Sequence, residues 1–325
     1  YSFKQKGTGS VYLRTGSISN DISTGGSINS VLNSITSLFL KKNYLKLYES
    51  NYIYTGFRSE IVNGFRIDFS AGYDNRKVLK NNSGFSFFRK SEEYAPNIPD
   101  NIFLAKGSDP FHWLYDQKHY EFSANFSWIP RQKYRMNNGI KIPWGSDWPE
   151  FNLQWKHGIN SYTTPAEVYR HFDMIRFEAS KTHESGAFSE FRWHFRTGGF
   201  LDNKYVPFYD FFHFNSQPIR FLLNDYLDVF YLPGYYSLST PEPFGAVNMK
   251  YTTPYLLLKY LPGISKTFIR ENIHLSWLGS RNNPHYTEIG YSLTEIFLLG
   301  EAGIYAGFDD LRFRNSGFRI ILKFN

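Results

Sequence analysis

The sequence predicts an all-β fold, an antiparallel transmembrane β-barrel, and three observations predict it. Aromatic residues make up 20% of the 325 residues, with 32 Phe and 25 Tyr, yet the mean hydropathy is polar. Segment after segment alternates between apolar and charged residues. The segments run about 9 to 14 residues, near the length a tilted strand needs to cross a bilayer and longer than most globular strands. A watery inside and an aromatic outside call for this composition. A soluble sandwich also alternates, so alternation alone leaves open what the apolar face meets.

Strands are expected near 8–18, 45–62, 65–77, 118–136, 149–158, 172–183, 188–198, 246–254, 267–278, 286–296, 301–308 and 317–325, about twelve in all. Successive side chains of a strand point to opposite faces. In FRIDFSAGYD, Phe65, Ile67, Phe69, Ala71 and Tyr73 oppose Arg66, Asp68, Ser70, Gly72 and Asp74. In HYEFSANFSW, Tyr120, Phe122, Ala124, Phe126 and Trp128 oppose His119, Glu121, Ser123, Asn125 and Ser127. Phe151, Leu153 and Trp155 oppose Asn152, Gln154 and Lys156; Ile175, Phe177 and Ala179 oppose Arg176, Glu178 and Ser180. Phe191, Trp193 and Phe195 oppose Arg192, His194 and Arg196. At the C-terminal end Phe318, Ile320, Leu322 and Phe324 oppose Arg319, Lys323 and Asn325. The apolar parity is expected to face lipid and the charged parity a lumen.

Connections are expected to alternate in length. Asn63-Gly64 is a tight hairpin turn and Glu184–Ala187 a second short one, while 78–117, 159–170 and 199–244 read as long loops, all on the opposite side. Short turns on one side and long loops on the other are the habit of outer-membrane barrels. In hydrocarbon each unpaired N–H or C=O costs several kcal/mol, so a sheet facing lipid must close on itself. One segment breaks the pattern: Ile28, Val31, Leu32, Ile35, Leu38 and Phe39 follow helical spacing before Lys41-Lys42. It predicts one short amphipathic helix in an outer loop, either packed on the barrel rim or lying at the interface.

The absence of cysteine excludes zinc–thiolate sites, disulfides and thiol catalysis. The net charge of +7 is spread along the chain without a Lys/Arg block. It reads as solvated loops and lumen, suits anionic lipopolysaccharide, and gives no reason to expect nucleic acid. No segment is apolar enough for a transmembrane helix. The opening YSFKQKGTGS carries no leader, as in a mature or truncated chain. HExxH, GxSxG, P-loop and dinucleotide fingerprints are absent; no cofactor, metal site or catalytic residue is expected. The nearest approaches to a hydrolase pair are Asp210 with His213 and Ser185 with His183, and lumen polar networks account for such residues far better.

Three stretches carry a resemblance: GGFLDNKYVPFYDFFHFNSQPIRF, KKNYLKLYE and EYAPNIPDN. Together they resemble a Bacteroidota family of outer-membrane proteins of unknown function, in which an N-terminal carboxypeptidase-regulatory-like domain precedes a C-terminal barrel. PFYDFFHFNSQPIRF is further similar to the approach to the sixth outer loop of BamA-like barrels. Pro207, Phe208 and Tyr209 match its Pro-Phe-Tyr segment, and Arg220 and Phe221 would match a tip folded into the lumen. The Gly-Gly of that pattern is replaced by Asn215-Ser216, no glycine separates Arg220 from Phe221, and LSWLGS lacks the acidic partner of the tip. The resemblance implies a sixteen-stranded barrel, of which residues 1–325 would be the C-terminal part with loop 199–244 inside; alternatively the twelve strands close alone. It also implies a non-enzymatic role in outer-membrane protein assembly or translocation, or as a subunit of a larger outer-membrane complex, with outer-membrane or periplasmic proteins as partners. A passive or gated pore and a barrel hydrolase are the alternatives.

Overall fold

The computed structural model describes the chain except for residues 1, 5–7, 25–27, 106–113, 164–166, 187, 203–204, 224–226, 261, 263–266, 282, 297–299 and 323–325. Twelve long strands follow one another as a meander: β2 (Thr8–Asp21), β3 (Leu47–Val62), β4 (Phe65–Val78), β5 (Gln117–Trp128), β8 (Glu150–Thr163), β9 (Glu167–Ser185), β10 (Ser189–Phe200), β14 (Phe244–Thr253), β15 (Arg270–Ser280), β16 (Asn283–Ile296), β17 (Gly300–Asp309) and β18 (Arg312–Leu322). Each pairs antiparallel with the next. Two short strands, β1 (Ser2–Lys4) beside β2 and β12 (Phe221–Leu222) beside β18, complete a sheet of fourteen. No ladder joins β18 to β1 or β2 among the described residues, so the sheet ends at two edges. Among the described residues no helix is long and apolar enough to cross a membrane.

Each of the twelve expected strands overlaps one of the twelve long strands, the last of them beginning at Arg312 and not 317, and four further expectations are corrected. Residues 118–136 are not one strand: β5 stops at Trp128, and Lys133–Asn137 (β6) pairs with Ile140–Gly145 (β7) in a separate hairpin. Asn138 and Gly139, at φ 47° and 76°, form its turn, the left-handed pair such two-residue loops demand. The supposed loop 159–170 is mostly strand, because β8 runs on to Thr163 and β9 begins at Glu167. The longer connections are not all on one side, since 129–149 and 254–269 lie at the end that carries the tight turns. Beside the expected helix, α1 (Ser30–Leu40), there is a four-residue turn of helix, α2 (Ile102–Ala105). Asn29 caps α1 by accepting from the amides of Val31 and Leu32.

Burial sorts the two faces. Val11, Leu13, Ile53, Phe57, Phe69, Tyr120, Phe122, Trp128, Leu153, Trp155, Ile175, Ile273, Leu275, Ile289, Ile304 and Phe318 are all exposed. The opposite parity is polar and buried: His119, Asn160, Asn248, Lys250, Asn272, Ser292 and Glu301 are each at most 2% accessible. The segment 201–243, between β10 and β14, covers that inner face. Its own core is aromatic, with Phe208, Phe214 and Phe230 fully buried, and it includes two strands, β11 (Asn215–Ser216) and β13 (Val229–Phe230), paired in parallel. A water-soluble sheet would bury its apolar face; this one turns it outward and wraps its polar face around a plug.

Candidate functional site

The inner face and its plug form the site, and the plug is tied to strands all round the sheet. Pro207 starts a single 3-10 turn over Phe208–Asp210 that points Asp210 at the wall. There Arg76 of β4 donates to Asp210 at 2.9 Å and to Asp74 at 3.1 Å. Asp74 also accepts from Ser50 Oγ at 2.6 Å. His119 of β5 lies 4.0 Å from Asp210, and its Nδ1 lies 2.7 Å from Asn160 Oδ1. Lys156 of β8 reaches Glu121 at 2.9 Å and Asp210 at 3.9 Å. The Tyr209 ring meets Tyr48 edge-on at 4.9 Å. Burial alone would raise the Asp210 carboxyl, but Arg76 above all, with His119 and Lys156, holds it below its ordinary value.

Further round the sheet the plug takes other partners. Arg196 of β10 pairs with Asp228 at 3.5 Å. Glu288 of β16 accepts the amides of Tyr231 and Leu232 at 2.9 and 3.0 Å, and Arg319 of β18 donates to the Tyr231 carbonyl. Tyr235 and Tyr236 both donate to Asp21 at the end of β2; burial first, and Asp21 second, push both phenols well up. Asn101 clamps the carbonyls of Tyr236 and Ser239 at 2.7 and 2.9 Å. A second charged cluster, Lys250 with Glu301 at 3.0 Å and His274 with Glu301 at 3.5 Å, is buried on β14, β15 and β17.

The structure brings Pro207, Phe208 and Tyr209 into the heart of the plug, all buried. It does not put Arg220 and Phe221 there. Both are exposed at the sheet edge, where β12 runs parallel to Ile320–Ile321 and the Arg220 guanidinium lies 5.0 Å over the Phe318 ring. Phe221 belongs to β12 and the Arg220 carbonyl accepts from the Ile320 amide, so the two residues lie along β18. Tyr120, Phe122, Trp128, Phe318 and Leu322 are exposed on the outer face, while Phe126 and Ile320 are half-buried there; Phe126 meets Phe69 edge-on at 5.9 Å. Of the charged parity, Asp68 pairs with Arg58, Arg176 with Glu178, Arg192 with Glu190, and His194 with Glu178. Arg66 is exposed near the Gly64 turn. Lys323 and Phe324 lie outside the described residues.

Neither hydrolase pairing is assembled. His213 spends Nδ1 on Ser239 Oγ at 2.8 Å and Nε2 on the Phe208 carbonyl at 3.0 Å, and burial pushes it down to about 4; Asp210 belongs to Arg76. His183 and Ser185 are exposed beside the turn into β10. No group of three or more metal-ligating side chains gathers among the described residues. Sequence reasoning passed over Arg76 and left Lys156, though placed on the polar parity, without a partner; the signal for each was a charge on the inward parity, Arg76 two residues from Asp74 and Lys156 with no opposite charge that near.

Among curated proteins no relative matches the chain. Among solved structures it is similar to the P. putida toluene transporter TodX, at 6% identity and a TM-score of 0.24, over 93% of this chain and 72% of that one. Residues 1–293 match the family model described as the C-terminal domain of a family of unknown function, DUF5686. The chain therefore belongs to the DUF5686 C-terminal domain family.

Proposed function

We propose that this chain is the transmembrane part of a bacterial outer-membrane protein, a BamA-like barrel whose lumen is filled by segment 201–243. It works without catalysis, in outer-membrane protein assembly or translocation or as a subunit of a larger outer-membrane complex. In this reading the source is a member of the Bacteroidota, a carboxypeptidase-regulatory-like domain precedes the chain, and further strands close the sheet between β18 and β2. Its surroundings are outer-membrane lipid and lipopolysaccharide, with other outer-membrane or periplasmic proteins as partners and no nucleic acid.

One observation carries the reading: the apolar face is outside. On β5 the band from Tyr120 to Trp128 spans eight residue steps, about 27 Å along the strand. At a tilt of about 40° that is roughly 20 Å of depth, close to the apolar band of outer-membrane barrels. The rings pack on one another across the strands, Trp128 on Phe151 at 5.8 Å, Phe151 on Phe177 at 6.2 Å and Phe177 on Phe195 at 6.4 Å. The plug, anchored on β4, β10, β16 and β18, disfavours an open pore and leaves Asp210 and His213 no freedom for hydrolysis. The test is depletion of the full-length protein in its host, followed by quantitative proteomics of the outer membrane and cell surface. Loss of a defined set of other outer-membrane proteins is the expected result; an unchanged proteome would sink the assembly role.

A further inference from the structure

One side of α1 is turned inward, with Leu32 packed against the buried apolar core and Thr36 buried. The other side carries Val31, Ile35 and Phe39 at successive turns, 59%, 47% and 42% exposed. The segment after β4 adds Phe85, Phe87 and Phe88, each more than half exposed. The rings of Phe39, Phe85, Phe87 and Phe88 form one array with centroids 5.2 to 5.9 Å apart. This platform is built, not frayed. The Phe87 amide donates to the Leu38 carbonyl at 2.9 Å, Lys41 Nζ to the Gly84 carbonyl at 2.6 Å, and Tyr94 to the Ser37 carbonyl at 2.8 Å.

Three features say what covers it. Between the platform and the apolar band, the outer face of β2, β3 and β4 carries Ser17, Ser19, Asn51, Asn75 and the Glu49–Lys77 pair at 3.8 Å. This polar collar separates the platform from hydrocarbon, on the membrane reading given above. The area is that of a small interface: six side chains at roughly 90–100 Å² each make about 550 Å² per copy, and about 1,100 Å² for two, before the border is counted, against the ~1,200 Å² at which specific interfaces begin. The border carries both signs, with Lys42, Lys90 and Glu93 exposed and Glu92 paired with Arg89 at 3.4 Å, so the same face can complement itself across a two-fold axis.

We infer that the platform of Val31, Ile35, Phe39, Phe85, Phe87 and Phe88 is a homodimer interface, its occupant the same face of a second copy. Light scattering of the full-length protein, in detergent and after transfer to bilayer discs, tests it. The expected mass is a dimer for the parent and a monomer for the Phe87→Asp/Phe88→Asp double variant and for Val31→Glu, each still giving the parent's heat-modifiable band. A monomeric parent would overturn the inference. A dimer that survives all three substitutions would overturn it too, as would association with lipid or with another protein through this face. Outer-membrane fractionation is read separately, so failure of the membrane reading and loss of the dimer are distinguishable.

Discussion

Arg76 stands between two carboxylates, Asp74 on its own strand and Asp210 on the plug, and all three are nearly sealed from solvent. A buried pair gains little over apolar packing, but removing one partner strands the other. Arg76→Ala should therefore lower stability by about 3–5 kcal/mol, measured as unfolding in detergent, whereas Arg76→Met with both Asp74→Asn and Asp210→Leu should recover most of the loss. His213 adds a pH dependence. Its folded value, about 4, lies below the ordinary 6.5, so between these the unfolded chain binds the extra proton. Stability is then full above pH 6.5 and falls as pH drops toward 4, by at most about 1.4 kcal/mol per unit. The depressed Asp210 acts in the same direction below its ordinary value of 3.8. Protease cutting within 201–243 should rise over that range, and His213→Gln should flatten the rise. Gly158 shows a steric demand of the same region: a Cβ there would enter the Phe172 ring, so Gly158→Ala should destabilise the wall.

At the scale of the strand the question is which face meets which medium. Phe126 and Asn125 are neighbours on β5 with opposite orientation, Phe126 beside Phe69 outside and Asn125 on a polar cavity of about 290 Å³ shared with Arg58, Arg176 and Glu178. Phe126→Arg should cost roughly 2–4 kcal/mol in a bilayer, and Asn125→Arg much less. Equal costs, measured by reversible unfolding from lipid, would contradict the outward assignment. Strand positions were legible because charge and ring alternate without a break from Phe65 to Tyr73 and from Tyr120 to Trp128. The end of β5 was not. KYRMN continues the alternation after Pro130, and only the Asn138-Gly139 turn, pairing β6 with β7, takes that stretch off the main sheet.

For the whole molecule the decisive feature is the plug. With 201–243 in place, the parent reconstituted in a planar bilayer should be nearly silent, and replacing residues 206–240 with a short flexible linker should open a conductance. A large conductance in the parent would show that the plug does not fill the lumen. The sheet edge matters as well. Among the described residues β12 pairs with two residues of β18, Ile320 and Ile321, so a further strand could pair along the rest of it.

The alternation of the chain by itself determined an all-β meander of twelve long strands, a helix before Lys41, and which residues share a face, because a two-residue period and a helical period are local properties. That Pro207–Tyr209 lead into a segment folded inward was implied only by the resemblance those residues carry, and its contacts were not legible at all. That Asp210 meets Arg76 across 134 positions, that Tyr235 and Tyr236 reach Asp21, and that Arg220 lies at the sheet edge over Phe318 depend on how the plug is folded. Only tertiary structure decides such long-range pairings, because any buried charge can be satisfied by several partners and the sheet's curvature selects among them.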